Sequence, residues 1–479
     1  MGFDNPAEAI RILSQLRGDL APQALGPEGR ERLKKLIPLL LTAAGKCDEP
    51  SITLKRIMDL IKALEGRASY LALLLENPNS LVHLMKLTSA SSLIATFLAR
   101  HPVLLDELLD PRTLYTPPKR DELEKELRHR IERLAGDFEY QIEELRVFKQ
   151  VNVLRVAAAD ITEVLALMRV SDHLTDIAEV VLNEVFELAW NYLVEKHGQP
   201  TCRLDNRRSY ERGFAVIAYG KLGGLELGYG SDLDLVFLHS AIPGRTQGGR
   251  NPIDNSQFFA RLGQRVIHIL TAHTRAGILY ETDMRLRPSG SSGILVSHIE
   301  GFRDYQLNDA WTWEHQALIR ARAVGGDIQL RQRFAEIRKE VLACRRDRLK
   351  LRKEVADMRQ RMRRELLKPA PGIFDLKQDI GGIVDIEFLV QYLVLLQSHT
   401  HEELLEWTDN VRLIQTLIET GVINEFDAHI LKHAYLIYRA VAHKRSLQEK
   451  PAKIPEERFR VLRRKVEQIW NANFPLLQF

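Results

Sequence analysis

Cysteine is scarce in this sequence: Cys47, Cys202 and Cys344 are the only three, far apart and odd in number. That argues against a disulfide framework or a cysteine-built zinc site, and it suits a reducing cytoplasm. Long apolar runs are missing as well. The longest, such as 37–41 and 388–396, fall short of the roughly 20 residues that span a bilayer, so no membrane association is expected. The opening Met1-Gly2-Phe3-Asp4 lacks the basic start and apolar stretch of a signal peptide. No internal repeat and no low-complexity tract is present. The net charge of +4 is too small to imply nucleic acid as a partner.

What is present is ordinary for folded, water-soluble protein, with 45% hydrophobic and 28% charged residues. At 479 residues the chain exceeds a single usual core, so several domains are expected. Residues 1–110 read as helix after helix, and a break at Pro117-Pro118 opens a second helical stretch over 111–209. Between 210 and 330 the period shortens. Apolar runs of strand type at 214–219 and 233–238 flank a segment with five glycines in eleven residues, 220–230. A helix is expected over 255–271, a third strand over 278–286, and helix again over 311–323. Residues 331–479 return to helix. The expected fold class is α+β and predominantly helical. A small mixed-sheet core (210–330) is held between an N-terminal helical region (1–110, then a lead-in at 111–209) and a C-terminal helical bundle (331–479). Within that last part, Arg345 to Lys368 carries eleven Lys/Arg against four Asp/Glu. The run reads as a solvated helix face or as a phosphate-facing helix; the absence of interleaved aromatics speaks against nucleic acid.

The chemistry concentrates in GSDLDLVF (230–237), where two carboxylates stand one residue apart at the mouth of an apolar strand. Strand alternation puts Asp232 and Asp234 on one side and Leu233 with its neighbours on the other. Carboxylates so close repel unless a cation lies between them. A hard dication such as magnesium, with manganese as the alternative, takes oxygen ligands of this kind beside phosphate substrates. A turn-capping aspartate would explain one of the pair but not both. In YETDMRLRP (280–288), Asp283, Arg285 and Arg287 alternate on one face of the expected third strand. That adds one more ligand and two cationic forks for phosphate. Gly220-Lys221-Leu222-Gly223-Gly224 supplies amides and an ammonium beside them, although it is neither a Walker loop nor a dinucleotide fingerprint.

Strand, glycine loop, Asp-x-Asp strand, helix and a strand with a third Asp is an order that resembles the polymerase-beta-like nucleotidyltransferase superfamily. Lys221 stands where that superfamily usually has serine or glycine. The wording of 214–237, 277–296, 310–324 and 374–388 further resembles the glutamine synthetase adenylyltransferase family, in particular its C-terminal, adenylylating half. The resemblance implies transfer of AMP from ATP to a tyrosine hydroxyl of glutamine synthetase with release of pyrophosphate. It also implies the PII signal protein and glutamine as effectors. Removal of AMP by phosphorolysis, or uridylylation of a PII protein, is the alternative within the same fold. On this reading Asp232, Asp234 and Asp283 are the catalytic, metal-holding acids of a two-metal displacement. Asp232 and Asp234 are assigned to bridge the ions, and Asp283 to complete the nucleophile side or accept its proton. Gly220, Lys221, Ser231, Arg285 and Arg287 are assigned to the nucleotide. Asp385, Glu387 and Lys377, in the stretch 374–388, are left without a catalytic role, Lys377 being a weaker candidate for phosphate contact.

Overall fold

The computed structural model describes residues 2–3, 5–19, 26–64, 67–205, 208–210, 212–274 and 277–475. The chain divides into two compact units. The first comprises Met1–Leu123, Leu134–Leu174 and Lys444–Pro451. The second comprises Glu124–Arg133, Thr175–His443 and Ala452–Phe479.

The first unit is helical throughout its described residues. Several of its helices, Pro27–Ala44, Pro50–Ala63 and Pro78–Ala90 among them, begin on proline. There the ring's fixed φ fits the first turn and its missing N–H is one that the helix would leave unbonded anyway. Leu36, Leu40, Leu54, Ile57, Leu84 and Leu98 are fully buried in its core. In the helical stretch that follows the Pro117-Pro118 break, the first two long helices are Arg120–Glu132 and Phe138–Ile161. Gly136, at φ +93°, ends the run, and the Asp137 side chain caps the next helix by accepting the Tyr140 N–H.

The second unit is built on a five-stranded mixed sheet. Strand β1 (Phe214–Ala218) lies centrally, antiparallel to β2 (Leu233–His239) and to β5 (Arg322–Gly326). Along the other edge of β2 run two short parallel partners, β3 (Thr282–Asp283) and β4 (Val296–His298). Both faces are covered, as the apolar runs require. Helix α1 (Asn255–Thr271) lays Phe258, Phe259, Leu262 and Val266 over one face, where Phe259 stacks on Phe214 at 6.0 Å. Gly263 permits that approach, since a Cβ there would lie 2.7 Å from Val296. On the other face Ala215, Ile217, Val236 and Leu238 join one continuous core with the C-terminal helices. These are α2 (Arg348–Leu366), α3 (Ile383–Gln397), α4 (Asn410–Glu419), α5 (Glu425–Leu447) and α6 (Arg460–Asn473).

Strand β5 falls where helix was expected to run on to residue 323; the helix there stops at Ile319. Two glycines explain the change. A Cβ on Gly325 would press on the Asn183 amide at 2.7 Å, and Gly326 sits at φ +88° against the Phe214 carbonyl. The basic run 345–368 also proves more than a solvated face. Arg359 of α2 is buried and its Nε donates to Asp385 at 2.6 Å, with Arg363 on the same carboxylate at 2.8 Å. Asp385 further accepts the Gly381 N–H at 2.7 Å, and Arg359 donates to the Gln378 carbonyl at 2.8 Å. The pair thus anchors the loop ahead of α3. Arg359→Met is expected to cost roughly 3–5 kcal/mol, because it leaves Asp385 buried and under-compensated. A urea titration checks this, and a loss below about 1 kcal/mol would make the pair incidental.

Candidate active site

The parallel pairing of β2 with β3 places Asp234 directly opposite Asp283 in register. Asp232 lies just ahead of β2 and is exposed, whereas Asp234 and Asp283 are half-buried. One oxygen from each of the three carboxylates lies within 4.8 Å of the others. Residues 232, 234 and 283, far apart in sequence, are therefore brought together. By strand alternation Asp234 shares the face of Val236 and Leu238, the face covered by the C-terminal helices.

Burial first, then the charges of Asp232 and Asp283, push the Asp234 carboxyl up from its ordinary 3.8 to about 6. Asp283 moves the other way. Hydrogen bonds from the Arg285 side chain hold it below the usual carboxylate range. Arg285 Nε donates to Asp283 Oδ2 at 2.8 Å, and the Arg285 N–H turns back to Oδ1 at 2.8 Å. That local turn ends the strand at Asp283, so the nine-residue strand expected over 278–286 is two residues long. Arg287 consequently leaves the face of Asp283. Its guanidinium donates to the carbonyls of Met284 (2.9 Å), Ser291 (2.8 Å) and Gly293 (3.1 Å), and so shapes the loop behind the third aspartate.

The glycine segment after β1 forms a single helical turn, Gly220–Gly223. The Tyr219 N–H donates to the Asp234 carbonyl at 2.9 Å and fixes the turn to β2. Gly220 adopts φ +55°, and a Cβ there would lie 2.0 Å from Asp234 Oδ2. Glycine is needed twice over, for the backbone angle and for the space. Lys221 Nζ donates to Ser231 Oγ at 3.2 Å, and Ser231 Oγ also accepts the Gly228 N–H at 3.2 Å. Protein crowded around the ammonium, then the charge of Lys377, pull Lys221 below the ordinary lysine value, although its side chain as a whole remains exposed. Asp232, Glu387 and Asp234 act on it in the opposite sense. Lys221 and Lys377 thus lie near enough for their charges to oppose one another.

Residues absent from the sequence reading also gather here. Glu226, Arg320, Asn410, Tyr435 and Arg439 form a buried polar cluster under the turn, together with Glu387. Glu226 carried a sequence signal, as the one charged residue inside the glycine-rich segment 220–230 other than Lys221.

Three carboxylates, one exposed and two half-buried, with Asp234 raised chiefly by burial, are the donor set a small hard dication takes. The sign of that shift has a consequence for pH. A carboxyl raised in the folded state holds its proton more tightly than in the unfolded chain. Metal-free protein therefore loses stability as pH climbs from about 3.8 to about 6. A dication competes with that proton. Millimolar magnesium should raise the melting temperature clearly at pH 7.5 and hardly at all at pH 5; equal shifts at both would remove Asp234 from the site.

This predominantly helical chain with its small mixed sheet has a nucleotidyltransferase-like fold. The family model described as glutamate-ammonia ligase adenylyltransferase matches residues 81–337. The chain belongs to that family. A second model, described as GlnD PII-uridylyltransferase, matches residues 350–474. A bifunctional glutamine synthetase adenylyltransferase/adenylyl-removing enzyme of Thioalkalivibrio sulfidiphilus is 50% identical over 471 residues, 98% of this chain and 48% of its own length. Enzymes of the same description from Nitrosococcus oceani and Pseudomonas putida are 50% and 47% identical, each over 98% of this chain and 49% of their own length. The chain thus spans about half the length of the curated relatives it matches. Among the described residues no helix is long and apolar enough to cross a membrane.

Proposed function

We propose that this chain transfers the AMP group of ATP to a tyrosine hydroxyl of glutamine synthetase, releasing pyrophosphate, and that it corresponds to the adenylylating half of its longer relatives. The observation that carries the proposal is the meeting of Asp232, Asp234 and Asp283 beside the turn that bears Lys221. It occurs in a chain half identical, across nearly all its length, to enzymes so described. The three aspartates would hold magnesium or manganese, which when bound lowers the pKa of the tyrosine hydroxyl and offsets triphosphate charge. The protein supplies the rest. Gly220 leaves room for the Asp234 carboxylate, and Ser231 steers the Lys221 ammonium toward the phosphates. Arg285 keeps Asp283 ionised, which suits a ligand better than a proton acceptor. Arg287 acts from behind, by holding the loop after Asp283 in shape. Glutamine and a PII-type signal protein are the proposed effectors, acting partly through the N-terminal helical region or through the half of the longer relatives that this chain does not span, in the cytoplasm.

The match of 350–474 to PII-uridylyltransferases favours one second reading, transfer of UMP to a PII-type protein. Incubating glutamine synthetase and a PII protein in turn with this chain, magnesium and either ATP or UTP, and then weighing the acceptors by mass spectrometry, separates the two. A tyrosine of glutamine synthetase bearing AMP is the expected product. UMP on the PII protein, or AMP released from modified synthetase by phosphate, would replace it.

A further inference from the structure

The glycine turn faces the aspartates with one side and a buried polar cluster with the other. Glu226, just past the turn, is almost fully enclosed. Its Oε2 accepts the Tyr435 hydroxyl at 2.7 Å and also pairs with Arg320. Its Oε1 lies 3.4 Å from Arg439 Nη1 and accepts the Asn410 N–H at 3.4 Å. Arg320 reaches Glu387 Oε1 with its second terminal nitrogen at 2.9 Å, and that oxygen lies 3.2 Å from the Tyr435 hydroxyl oxygen. The Asn410 amide donates to the Tyr435 oxygen at 2.9 Å and closes the set. Two carboxylates face two guanidiniums around one hydroxyl, so the charges balance within the cluster.

The turn rests on this cluster without slack. A Cβ on Gly224 would lie 2.6 Å from Arg320 Nη2, and one on Gly223 would lie 2.0 Å from the Arg320 carbonyl. Thr408 Oγ1 donates to the Gly223 carbonyl at 2.7 Å, and Arg322 Nη2 to the Leu222 carbonyl at 3.1 Å. Leu225 is held at φ +54°, a backbone angle that a leucine keeps only when its surroundings impose it. Four of the groups gripping the turn, Glu387, Asn410, Tyr435 and Arg439, belong to α3, α4 and α5, which lie outside the sheet-bearing segment.

We infer that the C-terminal helices supply positioning residues for nucleotide transfer: Glu387 and Tyr435, through Arg320 and Glu226, hold the Gly220–Glu226 segment at the distance from Asp234 that lets Lys221 meet the triphosphate. On this inference the four act through the turn, not by contact with the nucleotide. The inference rests on the transfer reading above, in that its kinetic test needs that activity.

Two tyrosines on α5, three residues apart, make the test. The Tyr435 hydroxyl sits inside the cluster, whereas the Tyr438 hydroxyl is buried with no hydrogen-bond partner among the described residues. Tyr435→Phe should raise KM for ATP at least about ten-fold while KM for the protein acceptor stays put. Tyr438→Phe should change neither. Glu387→Gln should behave as Tyr435→Phe does, and Glu387→Asp should recover part of the loss. Hydrogen exchange over 219–232 gives a readout independent of activity. It should quicken in Tyr435→Phe and Glu387→Gln and match the parent in Tyr438→Phe. Unchanged exchange and unchanged KM for ATP in Tyr435→Phe overturn the inference and leave the transfer reading intact. An inactive parent chain would defeat the transfer reading alone, because the exchange comparison still decides the positioning role.

Discussion

Asp234→Asn is expected to cut AMP incorporation into glutamine synthetase by on the order of a thousand-fold, while raising the melting temperature of the metal-free protein at pH 7.5. Both effects come from one carboxylate. Asp234 lies in register with Asp283 and within reach of Asp232, so in metal-free protein like charges stand side by side. Burial first, and those neighbouring charges second, raise the Asp234 carboxyl from 3.8 to about 6. Each pH unit corresponds to about 1.4 kcal/mol, so a neutral side chain of the same shape recovers up to about 3 kcal/mol. The amide, however, is a poor ligand for a hard dication. The variant should therefore be more stable, lose the magnesium-dependent thermal shift, and be inactive. Labelled AMP transfer and thermal melts in chelator and in magnesium check the three outcomes. Activity within ten-fold of the parent would remove Asp234 from the reaction, and a lower melting temperature in chelator would refute the crowding argument.

Gly220→Ala should be nearly as damaging, for a different reason. At φ +55° an alanine costs about 1–2 kcal/mol, and its Cβ would lie 2.0 Å from Asp234 Oδ2. The backbone cannot yield easily, because the Tyr219 N–H is tied to the Asp234 carbonyl at 2.9 Å. The carboxylate must move instead. A displacement near 1 Å at a reacting site costs about a hundred-fold in rate, and the variant should also lose its magnesium thermal shift. Gly230→Ala is the matching control. Gly230 is at φ +66°, but nothing lies within 4 Å of its would-be Cβ. It should show the backbone cost in stability and keep most of its activity. If both alanines behave alike, the approach of Gly220 to Asp234 has no functional weight.

The sequence was readable wherever a residue's neighbours along the chain decide its state. The apolar runs became β1 and β2, the helix over 255–271 formed with those bounds, and period-two alternation put Asp234 on the side away from Leu233. It was misleading where a side chain overrides the pattern locally. Asp283 captures the N–H of Arg285 and ends a strand that alternation alone would have continued through Arg287. It was silent where partners are remote. RARAVGG (320–326) carries no strand pattern of its own; β1 on one side and Asn183 on the other make it a strand. Glu226 and Arg320 likewise acquire their meaning only when Tyr435 and Glu387 arrive beside them, and no spacing rule connects residues so distant.

That distance has a price in time. The hydroxyl that closes the cluster lies 209 residues beyond the glutamate it binds. At roughly 5–20 residues per second, a ribosome needs about 10–40 s to pass from one to the other. In the later part of that interval, once Gly326 has been made and has cleared the exit tunnel, the aspartates, the glycine turn and the sheet are all in place in the chain, yet the turn lacks what sets its place. A nascent chain is therefore held unfinished beside its three aspartates until α5 emerges, and a message cut short before Tyr435 yields a protein with Asp232, Asp234 and Asp283 in its sequence and no settled grip on the turn beside them.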